Sequence, residues 1–280
     1  MMLALLRILR IGTIFSPAAD VVAGLCLQGL PWSAAAARAV VASVLVYAAG
    51  MVLNDHADRH RDAKLRPERP IPAGEIGPSF AFTLGLTLLA AGVAVSPAWI
   101  YWSVMAVLVL AYDYALKHVG AVGAVTMGVL RALNLCSAAI GVGGLVPSQP
   151  LLIAVGAYAL YVLAVTVLGM LEEDSRATGR AARSVQTVPP LAASLALLGM
   201  PGPWPVPVVG LGLAVLFLAR AVTVRTWSRA EIRVSMTWLL LGTLLYTGLL
   251  AASADRWTEA AAIWLAVLPA RWISRRISMT

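Results

Sequence analysis

Residues 54 to 75, NDHADRHRDAKLRPERPIPAGE, set Asp, Glu, Arg, Lys and His side by side in a chain that is otherwise mostly apolar. On a helix, at about 100° per residue, Asn54, Asp58, Asp62 and Asp55 fall at roughly 0°, 40°, 80° and 100°. One face then carries four oxygen-bearing side chains. Such a face repels itself unless a cation sits against it, and hard oxygen ligands are what Mg2+ prefers, usually with substrate phosphates completing its shell. Arginines follow at once, Arg66 and Arg69 among them, in a proline-stiffened run, RPERPIPAG, that offers cationic groups to an anion. A solvated, charge-balanced loop is the plainer alternative. The helical spacing of the carboxylates and the direct junction of Asn54 with an apolar run favour the metal-binding face.

The elements that hold this cluster are apolar throughout. Hydrophobic residues make up 60% of the chain and charged residues 12%, against roughly half and a quarter in soluble proteins. That composition predicts an all-α, polytopic integral-membrane protein. Apolar runs fall at 11–30, 34–53, 79–96, 98–115, 119–145, 150–171, 187–200, 204–220, 234–253 and 258–270, which predicts nine or ten transmembrane helices in a single domain over residues 1–280, the seventh and last runs being short. The opening MMLALLRILRIG reads as an amphipathic lead-in, because arginines interrupt its apolar run and no small-residue cleavage site follows. Numbered in order, these runs leave every Lys and Arg except Arg38, Arg131 and Arg256 on one side of the membrane. The positive-inside rule makes that side cytoplasmic, with the aspartate-rich loop on it, in what is expected to be the cell membrane. The net charge of +8 therefore reflects orientation, and with no aromatic platform beside the basic residues it does not predict a nucleic-acid partner. Cys26 and Cys136 lie within apolar runs and read as packing residues. His56, His60 and His118 lack zinc spacing.

The motif Asn54-Asp55-x-x-Asp58-x-x-x-Asp62, followed by RPERPIPAGEI, resembles the first aspartate-rich signature of the UbiA superfamily of intramembrane prenyltransferases. SPAADVVAGL in the first span, YDYALKH after the fourth and an acidic stretch ending in Gly after the sixth extend the likeness more loosely. The resemblance implies a helical bundle around a central cavity, closed by two aspartate-rich motifs, with Mg2+, a polyprenyl diphosphate donor and a lipophilic or aromatic acceptor drawn from the membrane. It implies Mg-dependent prenyl transfer; a non-catalytic relative that binds or transports a prenylated or aromatic metabolite is the alternative. The chemistry suits such a site. Diphosphate leaves an allylic carbon readily only when metal and cations neutralise its charge, while the tail needs hydrocarbon and the carbocation needs water excluded.

In that reading Asn54, Asp58 and Asp62 bind the metal and Asp55 orders the site. Arg66, Arg69 and Lys117 hold phosphate oxygens, Lys117 otherwise serving as an interfacial anchor. The second motif departs from the family's pair of aspartates: in GMLEEDSRATGR one register offers Leu171 and Ser175, the other Met170 and Asp174. The acidic group 172–174, with Glu173 and Asp174 as ligands, supplies what remains of it, or is an ordinary acidic helix end balanced by Arg176 and Arg180. Tyr112 and Tyr114 shield a carbocation with their ring faces or belong to the interfacial aromatic belt. Asp113 lies four residues before Lys117 and forms a helical pair with it or divides between ligand and structure. Arg131 lies well inside a span, where a cation is costly, and Asn134 shares its face. The two line the substrate cavity or bond helices together, and Asp20, mid-span in the first helix, is a candidate partner. An ion-coupled transporter is disfavoured by the lack of an inverted repeat and by polar density at one membrane face.

Overall fold

A computed structural model of the chain describes residues 2–144, 146–173 and 179–277. Their regular elements are all helical: α1 Met2–Ile8, α2 Phe15–Leu27, α3 Ala34–Ala57, α4 Arg59–Leu65, α5 Pro78–Val95, α6 Trp99–Tyr114, α7 Ala121–Ala138, α8 Gln149–Glu173, α9 Gly179–Val185, α10 Val188–Leu198, α11 Pro205–Thr223, α12 Arg229–Ser253, α13 Trp257–Leu265 and α14 Val267–Arg276. Local signals set several starts. The Ser33 hydroxyl accepts from Ala36 N at 3.1 Å to cap α3, and Pro78 opens α5, where a missing N–H costs nothing.

Among the described residues six helices are long and apolar enough to cross a bilayer, and α1 with α2 makes a seventh if that pair, bent by 45°, counts as one span. The expected nine or ten crossings are therefore not confirmed. The run at 98–115 folds as the 16-residue α6. The run at 187–200 yields only the 11 residues of α10, about 16 Å of helix against a hydrocarbon core of about 30 Å. It starts at the Pro189–Pro190 pair and stops before Pro201. The last run divides at Ala266, and Pro269 in α14 cannot donate to Leu265 O.

Burial sorts the spans into layers. Only 22% of the α5 and α11 windows is buried, whereas 56% is buried in α3 and α12. The first two therefore face lipid, and the second two stand at the centre. Close approach of α2, α7 and α8 depends on residues without side chains: a Cβ on Gly24 would fall 2.1 Å from Leu135 O, and one on Gly128 would fall 2.6 Å from Ala159 O. Gly24→Ala is expected to destabilise the bundle by about 1–3 kcal/mol through overpacking. Gly156→Ala, in open space on α8, gains helix propensity. Thermal unfolding in detergent should move the two variants in opposite directions.

Two of the three sequence exceptions cap the end of the bundle remote from Asn54. Arg38 donates to Val95 O at 2.7 Å and Ser96 O at 2.8 Å, and Arg256 pairs with Glu259 and reaches Leu30 O.

Candidate active site

The helical ladder runs from α3 into α4 with a single irregular residue, Asp58, at φ −85° and ψ 0°. The face expected of one straight run is divided by what packs behind it. Asn54 and Asp58 open onto a cavity of about 1030 Å³, while Asp55 and Asp62 are buried behind it. Arg69 donates through Nη1 to Asp62 Oδ2 at 2.6 Å and to Asp55 Oδ1 at 3.3 Å, and Arg10 Nη2 reaches the same Asp55 oxygen at 3.1 Å. The four oxygen-bearing side chains thus divide into a pair at the cavity and a pair that clamps the loop. Arg66 stands 3.8 Å from Asp62 and, with Arg69, also lines the cavity.

The loop after α4 is fixed in place. Ile71 and Ile76 pack with Ala4, Ile8 and Val52, and Gly74 turns the chain at φ +73°. Arg7 ties α1 over it through Glu75 at 3.1 Å and Glu68 O at 2.6 Å.

Across the cavity mouth, α6 ends in a 3-10 turn, Leu116–His118. The Lys117 ammonium lies 2.9 Å from Asp58 Oδ2. Gly123 lets α7 start against this turn, since a Cβ there would meet Lys117 Cα at 2.8 Å. Asn54 Nδ2 donates to Asp113 Oδ1 at 3.0 Å, which settles the orientation of the amide and leaves its carbonyl oxygen for another partner. Asp113 pairs with Asn54, not with Lys117. Its second oxygen is buried without a hydrogen bond among the described residues, a costly state that a nearby cation relieves. Tyr112 lines the cavity, whereas Tyr114 is spent on His56 Nδ1 at 2.9 Å.

Among the described residues no three of His, Cys, Asp and Glu converge as a metal-holding group. The donor set that Asn54 and Asp58 turn to the cavity, one amide oxygen and one carboxylate, fits Mg2+, which takes one or two carboxylates and completes its shell with water and phosphate oxygens. Asp174 lies outside the described residues, as does the Glu173 side chain. Glu172 lines the cavity and accepts from Arg233 Nε at 2.9 Å.

Deeper in, Arg131 and Asn134 meet α2. Arg131 Nη2 lies 3.0 Å from Asp20 Oδ2, and Asn134 Nδ2 donates to that oxygen at 2.9 Å. The helix-bonding reading of this pair is thus realised, and Arg131 lines the cavity as well, while Asn134 does not. Met51, Met127, Val162, Val165 and Leu244 make the intervening wall apolar. A smaller groove of about 460 Å³ beside Phe15 and Ile263 offers less: its Glu259 is engaged by Arg256 and Trp32.

Sequence reasoning missed Arg10 and Tyr47, both of which line the cavity. Tyr47 had a signal, since it lies seven residues before Asn54, two turns along one helix face. Arg10 had none, because its bond to Asp55 spans 45 positions.

Comparison with known proteins bears on the family and the fold. The UbiA prenyltransferase family model matches residues 18–241. Digeranylgeranylglyceryl phosphate synthases of Ignicoccus hospitalis and Methanopyrus kandleri are 37% and 32% identical over 43% and 61% of this chain. The matches span 41% and 63% of those relatives' own lengths. Among solved structures, a UbiA homolog from Archaeoglobus fulgidus bound to GPP and Mg2+ has a TM-score of 0.61 at 14% identity, over 94% of this chain and 99% of that one. An apo UbiA homolog from Aeropyrum pernix K1 gives 0.59 at 18% identity, over 96% and 98%. At such identities these likenesses concern the fold.

Proposed function

This chain belongs to the UbiA prenyltransferase family, and from that premise we propose that it is a Mg-dependent enzyme that moves a prenyl group from a polyprenyl diphosphate to a lipophilic acceptor within the membrane. One observation carries the reading: a single cavity joins the polar mouth at Asn54, Asp58 and Lys117 to a hydrocarbon-lined interior. The names of the relatives, synthases of a digeranylgeranylglyceryl phosphate, favour an acceptor with an oxygen nucleophile. The apolar helices make this an integral membrane protein. The distribution of Lys and Arg supports a cytoplasmic mouth.

Asn54 offers its carbonyl oxygen and Asp58 its carboxylate to the cation, and Asp113 holds the Asn54 amide in the orientation that allows this. Bound there, Mg2+ would neutralise charge on the diphosphate. Lys117, Arg66 and Arg69 take phosphate oxygens at the mouth. The allylic C–O bond breaks with its electron pair going to diphosphate, the acceptor oxygen closes on the freed carbon, and its proton leaves with the diphosphate. The apolar wall keeps the prenyl chain and its cationic carbon out of water.

Protein in lipid nanodiscs, given labelled geranylgeranyl diphosphate, Mg2+ and an alkylglycerol, should release diphosphate and form a prenylated product. Absence of Mg-dependent consumption overturns the proposal, and tight diphosphate binding without consumption points to a carrier. Asp113→Ala frees the Asn54 amide and is expected to weaken divalent-cation binding about 10–100-fold. Asp113→Asn keeps an acceptor oxygen and should restore most of it. Mn2+ titration followed by electron paramagnetic resonance reads both.

A further inference from the structure

Arg131 lines the inner part of the cavity with only 12% of its side chain exposed. Among the described residues all its hydrogen bonds use one nitrogen: Nη2 donates to Ser16 Oγ, to Tyr158 OH at 2.7 Å and to Asp20 Oδ1 at 3.1 Å. The guanidinium carbon lies 5.9 Å from the centre of the Tyr47 ring and 5.5 Å from that of Tyr158, so aromatic faces flank it. Nε and Nη1 have no hydrogen-bond partner among the described residues, and the side chain lines the cavity. Their N–H groups are therefore left for a ligand in the cavity. Asp20, wholly buried, cancels the charge and is itself held by Asn134 and Tyr158.

A buried cation whose charge is already compensated, but whose donors are not all used, suits an uncharged oxygen. An anion placed there would meet Asp20 at close range. The geometry points to Arg131 as the subsite that binds a hydroxyl or carbonyl oxygen of the acceptor, and so selects oxygen-bearing lipids over plain hydrocarbon chains. The inference rests on the prenyl-transfer reading above. The level of the subsite agrees with it. Tyr47, which flanks the guanidinium, precedes Asn54 by seven residues, a rise of about 10 Å along α3. Diphosphate reaching inward from the mouth takes up much of that interval, which leaves the allylic carbon near Arg131. Any phosphate elsewhere on the acceptor would then lie toward the basic mouth.

The test measures binding of 1-O-hexadecylglycerol, hexadecyl phosphate and 1-chlorohexadecane to nanodisc-embedded protein by native mass spectrometry. Wild type is expected to bind the alkylglycerol at least tenfold tighter than the chloroalkane, with no such preference for the phosphate. Arg131→Lys, which keeps the charge but not the planar fork, should remove the tenfold preference and raise the KM for alkylglycerol while the KM for geranylgeranyl diphosphate moves less than twofold. Ser16→Ala removes a partner of Nη2 only and should keep the preference. Equal binding of all three probes by wild type overturns the subsite even if Arg131→Lys fails to fold, and so does an equal loss in Ser16→Ala or a tighter grip on hexadecyl phosphate. Mg-dependent diphosphate release by wild type is scored separately, so failure of the prenyl-transfer reading is distinguishable from failure of the subsite.

Discussion

Asp58→Ala is expected to lower kcat/KM for prenyl transfer by more than about 100-fold, the loss typical when a metal ligand's support is removed or worse. Two roles meet in this one carboxylate. It lines the cavity beside Asn54 as the charged member of the donor set, and it holds Lys117 at 2.9 Å. Without it a cation would keep only a neutral amide oxygen from this helix, and the ammonium would lose its orienting partner. Asp58→Asn separates the two effects, since it keeps an oxygen and loses the charge; its rate should lie near that of the alanine variant if charge dominates. Removing Asp58 also takes the partner from the buried Lys117 ammonium, so thermal unfolding is measured beside the assay and the rate is taken from folded protein. Diphosphate release from labelled geranylgeranyl diphosphate across a Mg2+ titration reads the effect, and chelation by EDTA should bring wild type to the same floor. Activity of Asp58→Ala within about threefold of wild type would remove the metal-binding role.

How much of this site could be read in advance depended on how local its causes are. The position of Asn54 at the end of an apolar run and the spacing of Asp58 placed both at the membrane face, and both stand at the cavity mouth. Asp55 and Asp62 obeyed a different cause. Their burial goes with Arg69, which reaches back to both from within the proline-rich run, and that contact is not visible in helical periodicity. Asp20 and Arg131 stood out as costly intramembrane charges, yet only the approach of α2 to α7, permitted by Gly24, makes them partners. The count of nine or ten spans goes unconfirmed for a related reason. Hydropathy measures whether a segment tolerates lipid, and α10 and α13 tolerate it while prolines keep them short.

Arg69→Ala is expected to cost about 3–5 kcal/mol of stability, the usual cost of leaving a buried charge without its partner. Arg69 is 8% exposed and joins two acids on successive helices, Asp55 on α3 and Asp62 on α4. Its loss leaves those carboxylates with Arg10 at 3.1 Å and Arg66 at 3.8 Å, in a site from which water is largely excluded. Near a slope of about 2–4 °C per kcal/mol, thermal unfolding in detergent should fall by roughly 10 °C. Glu75→Ala breaks the more exposed Arg7 pair and should cost no more than about 1 kcal/mol. Adding Asp62→Asn to Arg69→Ala removes one uncompensated charge and should recover part of the loss, a coupling that a double-mutant cycle isolates. No recovery would assign the loss to loop packing around Ile71 instead. A buried ion pair is weak grounds for net stability, so its value here lies in geometry. By joining Asp62 on α4 to Asp55 on α3, Arg69 ties together the two helices that flank Asp58, which itself faces Lys117 and the cavity.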